Sequence, residues 1–262
     1  MTTIIACDMD GTLLDKNSRL PEETFDLIRD IDAHGIRFVA ASGRRLDTLL
    51  SLFDPVLDNM DFVASNGAQV MLRGKILSRE IFSRVALRKL IELVDQFDCM
   101  HLALFDRTRT FLLDDRQAYT PEFDKDLPEP VYTELPLPCI DIVKVSINCD
   151  EDVMDMAYVL TRELGDDFVF APSGNRWVDV LQRGVNKATG MREIMEWYGS
   201  VPVELIAFGD SMNDYELIKM AGHGYAMGNA RAALKQVSDR VIGTNSEHAV
   251  QRELARILRQ GE

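Results

Sequence analysis

Apolar and polar positions along this chain follow two periods. "TIIAC" at residues 3–7 is a continuous apolar run with β-branched members, the pattern of a strand buried on both faces. "LPEETFDLIRDIDAHG" at 20–35 spaces Phe25, Leu27, Ile28 and Ile31 for a helix, with Pro21 suited to the first turn and Gly35 as the stop. "IRFVAAS" reads as a second buried strand, "RRLDTLLSLF" as a helix and "DFVASNG" as a third strand. This βαβαβ order predicts a parallel sheet with helices on both faces.

The pattern changes between about 83 and 183. "RVALRKLIELVDQFD" is a helix, and "HLALFD" and "TFLLDD" around "RTR" form a hairpin. A polar passage with Pro121, Pro128, Pro130, Pro136 and Pro138 reads as loop. "DIVKVSIN" is then a strand, "EDVMDMAYVLTREL" a helix, and "DFVFAPSG" and "RWVDVLQ" two more strands. Helix-strand-strand repeated twice predicts a separate α+β unit with an open sheet. The βα alternation resumes after Gly184: helix "NKATGMREIMEWYG", strand "VELIAFGD", helix "MNDYELIKMAG", short strand "GYAMGN", then helices "ARAALKQVS" and "EHAVQRELARILRQ". The expected architecture is an α/β core of residues 1–82 and 184–262, split by an inserted unit at 83–183.

At 262 residues the chain is long enough for two modest cores. Its formal net charge of −14 opposes nonspecific nucleic-acid binding and an anionic membrane surface. A small anionic substrate needs local cations to receive it. Cys7, Cys99, Cys139 and Cys149 form no C-x-x-C pair. With no basic leader and no apolar run near 18 residues, a reducing, cytoplasmic location is expected.

Ligands of open α/β sheets bind beyond the carboxyl ends of the strands. Four polar clusters either follow core strands or open a helix beside them: Asp8-x-Asp10-Gly-Thr, Ser42-Gly43-Arg44, Gly-Val-Asn-Lys187 and Gly-Asp210-Ser-Met-Asn213-Asp214. Asp8, Asp10, Asp210 and Asp214 would crowd one crevice, and two like charges about 4 Å apart repel by ~4 kcal/mol at an effective dielectric near 20. Such a group requires a cation. Oxygen ligands without paired Cys or His select a hard ion, and Mg2+ is the natural candidate. Mg2+ and Lys187 together would receive a phosphate dianion.

"DMDGTLL", "SGR", "GVNK" and "GDSMND" resemble the four signature motifs of the haloacid-dehalogenase-like hydrolase superfamily, and most closely its Cof-type phosphatases. The resemblance extends to "SNGA" at 65–68, to "RWVDV" and to an inserted α+β cap. It implies a Rossmann-like core and a phosphatase acting on a small phosphorylated metabolite, such as a sugar phosphate. On this resemblance Asp8 is the nucleophile that forms an aspartyl-phosphate, and Asp10 the general acid and base. Ser42 and the Gly43 amide hold the phosphate, and Lys187 ties nucleophile to phosphate. Mg2+ is bound by Asp8, the Asp10 carbonyl and Asp210, with Asp214 orienting the metal shell or ligating. Asn213, Asn66 and Arg44 contact substrate or phosphate. Asp10 argues against dehalogenation, because a halide leaving group needs no proton.

Ser42 stands where Cof-type relatives often have Thr, and Gln182-Arg183 where they often have prolines. In the cap, Phe105, Asp106, Arg107, Asn175, Arg176 and Trp177 lie near predicted strand ends and are candidates to face the core, with core packing the plainer reading of Trp177. Asp114, Asp115 and the acids near Asp124 read as a solvated face, and His101 as a strand residue. A phosphotransferase or mutase would use the same intermediate. A phospho-receiver domain also gathers acids and a lysine, but it has no use for a cap-sized insertion.

Overall fold

The computed structural model describes residues 2–113, 130–134, 141–173, 176–199 and 201–260. Asp114, Asp115, Pro121, Asp124, Pro128, Pro136, Pro138, Cys139 and Asn175 lie outside them. The chain forms two compact units, Met1–Arg79 with Asn186–Glu262, and Glu80–Val185.

In the first unit eight strands form one sheet in the order Arg240–Val241, His223–Ala226, Val203–Gly209, Thr2–Cys7, Arg37–Ala41, Met60–Ala64, Gln69–Leu72 and Lys75–Arg79. The first six run parallel, and the last two add antiparallel. Ile4, Ile5, Ala6 and Cys7 are all fully buried, as a central parallel strand covered on both faces requires. Cys7 pairs with Phe208 on one side and Ala40 on the other. That register brings residues 8, 42 and 210 to one edge of the sheet.

Strands Gln69–Leu72 and Lys75–Arg79 do not emerge from the hydrophobic pattern. They form a two-residue hairpin in which Arg73 and Gly74 take φ of +51° and +71°. Glycine is usual in such a turn and arginine is not, so the turn signal is weak. The outer strand is largely exposed and carries little apolar alternation. At the opposite end from residues 8, 42 and 210, buried Asp61 accepts from Arg37 Nε (3.0 Å) and Nη2 (2.9 Å) and from the Arg73 amide (2.7 Å). It is a buried acid with a structural role, because its lone pairs are spent on the fold.

The second unit holds a six-stranded sheet, ordered Phe168–Ser173, Trp177–Gln182, Lys144–Cys149, Met100–Phe105, Thr110–Leu113 and Pro130–Thr133. Helices Arg84–Val94 and Val153–Leu164 bury Leu87, Leu90, Met156 and Leu160 in one cluster with Leu102, Leu104, Val145, Ile147, Val178 and Val180. Alternate strand residues Ala103, Phe105 and Leu112 form a separate cluster with Tyr132 and Trp177, as the two-residue period of a strand dictates. The expectation that the whole proline-rich passage is loop is corrected at Pro130–Thr133, an edge strand parallel to Thr110–Leu113. Proline is tolerated as the first residue of an edge strand, where no ladder bond is lost. Asp106 accepts from the amides of Thr108 (2.9 Å) and Arg109 (2.7 Å) and so builds the hairpin turn. Arg176 pairs with Asp150, and His101 lies in strand Met100–Phe105.

Candidate active site

The strand Thr2–Cys7 delivers Asp8 still in the sheet ladder, its N–H donating to the Phe208 carbonyl at 3.0 Å. The chain then turns. Leu13 N–H donates to Asp8 O (3.2 Å) and Leu14 N–H to Met9 O (3.0 Å), closing a wide turn in which Gly11 takes φ +79°. A side chain at Gly11 would put its Cβ 2.4 Å from Asp210 Oδ2. Glycine is therefore required twice, for the backbone angle and for the close approach of Asp210. Asn229 Nδ2 donates to the Gly11 carbonyl at 2.8 Å and pins the turn. The turn separates the two acids. The Asp8 side chain is 7% exposed, while that of Asp10 is 53% exposed.

Lys187 opens helix Lys187–Trp197 behind a capping box in which Thr189 N–H donates to Asn186 Oδ1 (2.9 Å) and Asn186 N–H to Thr189 Oγ1 (2.9 Å). Its ammonium is fully buried and donates to Asp8 Oδ1 (2.5 Å) and Asp214 Oδ1 (2.7 Å). Burial alone would lower its pKa, but Asp214 and Asp8 outweigh that effect and raise it, so the lysine stays charged. Asp214 Oδ2 accepts from the amides of Asp210 and Ser211, each at 3.0 Å. Both Asp214 oxygens are thus engaged, one in holding Lys187 and the other in shaping the loop that carries Asp210.

Asp8, Asp210 and Asp214 each place a carboxylate oxygen within 4.8 Å of the others. One lysine cannot neutralise three such groups. Burial first, and then the Asp214 charge, push Asp8 up to about 8 and Asp210 up to about 6. Asp210 Oδ1 is buried and has no hydrogen-bond partner among the described residues. An orphaned carboxylate oxygen, an all-oxygen donor set and an excess of negative charge together fit a hard divalent cation.

Asp10 stands apart from this cluster. Its carboxylate accepts from Arg44 Nε (2.8 Å) and Nη2 (2.6 Å). Asp10 is not part of the acidic cluster formed by Asp8, Asp210 and Asp214. Ser42 follows strand Arg37–Ala41, and its Oγ accepts from the Arg44 N–H at 3.1 Å. Asn213 Nδ2 donates to Asn66 Oδ1 at 2.9 Å, and the Asn66 amide lies against Gly43. The candidates therefore form two linked groups, Asp8–Lys187–Asp214–Asp210 and Asp10–Arg44–Ser42, with Asn66 and Asn213 alongside. Two further residues border the first group. Thr12 has a buried hydroxyl without a partner among the described residues, and Asn229 braces the Gly11 turn. Asn229 follows strand His223–Ala226 much as Asp210 follows its own strand, and that placement is the signal the sequence offers for it.

Residues 5–254 match the family model for haloacid dehalogenase-like hydrolases. A 5-amino-6-(5-phospho-D-ribitylamino)uracil phosphatase of Escherichia coli K12 is 30% identical over 270 residues, spanning 98% of this chain and 96% of its own. A Bacillus subtilis 168 protein of the same name is 27% identical over 265 residues, with 95% of each chain covered. A crystal structure from Streptococcus mutans UA159 shares the fold with a TM-score of 0.87 at 23% identity, over 98% of each chain.

Proposed function

The chain belongs to the haloacid dehalogenase-like hydrolase family, and from that premise we propose that it is a Mg2+-dependent phosphatase of small phosphorylated metabolites, working through an aspartyl-phosphate on Asp8. The observation that carries this reading is the buried Lys187 ammonium held between Asp8 and Asp214, with Asp210 beside them. The lysine keeps Asp8 close to a positive charge that a phosphoryl group can share. The E. coli and B. subtilis relatives are named for removing phosphate from a ribityl chain, which supports a phosphorylated sugar or sugar alcohol as substrate.

In the first half-reaction an Asp8 carboxylate oxygen attacks phosphorus and the bond to the leaving oxygen breaks, while Asp10 gives that oxygen a proton. In the second, Asp10 takes a proton from water as the water attacks phosphorus. The Asp8–phosphorus bond breaks, and inorganic phosphate leaves. Splitting the displacement in this way replaces one difficult step with two easier ones. Asp10 must be free to reach the leaving oxygen, yet Arg44 binds both of its carboxylate oxygens. Arg44 accordingly exchanges Asp10 for a phosphoryl oxygen when substrate binds, and Ser42 and Asn213 complete the phosphate contacts. Mg2+ would be held by Asp8, Asp210 and the Asp10 carbonyl, with Asp214 anchoring the set. When bound it supplies positive charge against the phosphoryl oxygens.

The test is phosphate release from a panel of phosphorylated metabolites. EDTA should silence the enzyme and added Mg2+ restore it; turnover indifferent to chelation would remove the metal from the reading. Binding should also show without turnover. Mg2+ at one hundred times its Kd stabilises the fold by about 2.7 kcal/mol, a clear rise in Tm.

Gly11→Ala tests the cradle. The new Cβ displaces Asp210, so half-saturation by Mg2+ should move up roughly tenfold in both activity and Tm titrations, the equivalent of about 1.4 kcal/mol. An unchanged half-saturation point would show that Asp210 does not hold the ion in this position.

A further inference from the structure

The loop between strands Met60–Ala64 and Gln69–Leu72 is strained. Three successive residues take left-handed angles: Ser65 at φ +49°, Asn66 at +54° and Gly67 at +103°. Glycine suits the third position, where a Cβ would sit 2.1 Å from the Asn186 carbonyl oxygen. Ser65 has no such freedom and Asn66 only part of it, and two adjacent L-residues in this region persist only where the surroundings enforce it. They are enforced from the neighbouring loop. Ser65 N–H donates to Arg44 O at 2.8 Å, and Asn66 N–H donates to Ser42 O at 2.9 Å.

The strain places one side chain. Asn66 is 3% exposed and offers almost no surface to a ligand. Its Oδ1 accepts from Asn213 Nδ2 at 2.9 Å, while a Cβ built on Gly43 would come within 3.1 Å of its Nδ2. One buried amide therefore touches the loop after strand Arg37–Ala41 and the loop after strand Val203–Gly209. Asn213 itself is only partly buried. With one Nδ2 hydrogen engaged by Asn66, its amide plane is set and the second hydrogen remains for a ligand.

We propose that Asn66 is a positioning residue, held in a left-handed turn so that its carboxamide orients Asn213 toward the phosphoryl group. The inference rests on the phosphatase reading above. Asn66 touches no substrate and acts through Asn213.

The strain supplies the test. Asn66→Gly removes the carboxamide and relieves the backbone, whereas Asn66→Ala removes it and worsens the backbone. Both variants should lose about tenfold in kcat, with KM within about twofold of the parent, as for a hydrogen bond that matters in the transition state. Their Tm values should separate, Asn66→Gly melting above Asn66→Ala. Asn213→Ala removes a phosphoryl contact and should lose about a hundredfold or more. Adding Asn66→Gly to Asn213→Ala should then cost less than a further twofold, because the route through Asn213 is already gone. Multiplying losses in the double variant would overturn the proposal, as would parental kcat in Asn66→Gly. Failure of the parent chain to hydrolyse any phosphate ester would instead sink the phosphatase reading itself.

Discussion

Asp8→Asn should lower turnover of an aryl phosphate by about 10⁴-fold or more, the scale on which loss of a nucleophile is felt. The substitution keeps the size of the side chain but withdraws the carboxylate that would bond to phosphorus. The fold should survive. Asp8 is held in the sheet by its main-chain N–H on the Phe208 carbonyl, a bond that asparagine retains. Lys187 keeps Asp214 as its partner. Stability should even move the other way in EDTA. Burial pushes Asp8 up to about 8 from a usual value near 4, so between those limits the folded chain binds more protons than the unfolded one. The parent therefore loses stability as pH rises across that window, and the amide of the variant has nothing to titrate. The Tm advantage of the variant should widen from pH 5 to pH 8. Activity above about one per cent of the parent would remove Asp8 from the nucleophile's role.

This site is legible in the sequence to the extent that parallel strands announce themselves. A buried run ending in a polar cluster fixes where that cluster lies, because the strands all end at one edge. That logic alone places Asp8, Ser42 and Asp210, and a position at a helix start places Lys187. Partner choice is not legible. The resemblance already joined Lys187 to Asp8, but nothing in "DMDGT" or "SGR" indicates that Arg44 takes Asp10 through two bonds; the wide turn around Gly11 decides it. Nor does "GDSMND" reveal that Asp214 spends both oxygens on Lys187 and two amides. The same limit applies to the fold. Strand Lys75–Arg79 is exposed and follows a turn with arginine in a left-handed position, so neither its burial pattern nor its turn chemistry stands out. Pro130 hides an edge strand because proline usually argues against one.

Replacing Lys187 should be the most damaging change to stability. The ammonium is fully buried with Asp8 and Asp214 as its partners, so Lys187→Met leaves those carboxylates in a dry site without their cation. Breaking a buried ion pair from one side costs about 3–5 kcal/mol, which lowers Tm by roughly 10 °C in a chain of this size. Turnover should be lost as well, since on the proposed mechanism the phosphoryl group would lose the charge that Lys187 offers it. Instability and lost chemistry can be separated by a second substitution. Asp214→Asn keeps an oxygen for the amides of Asp210 and Ser211 but discards a negative charge. Added to Lys187→Met, it should recover about half of the lost Tm and none of the activity. If the double variant melts no higher than Lys187→Met, the damage arose from packing around the lysine stem and not from unpaired charge. If activity returns with stability, Lys187 serves only to hold the fold and has no part in meeting the phosphoryl group.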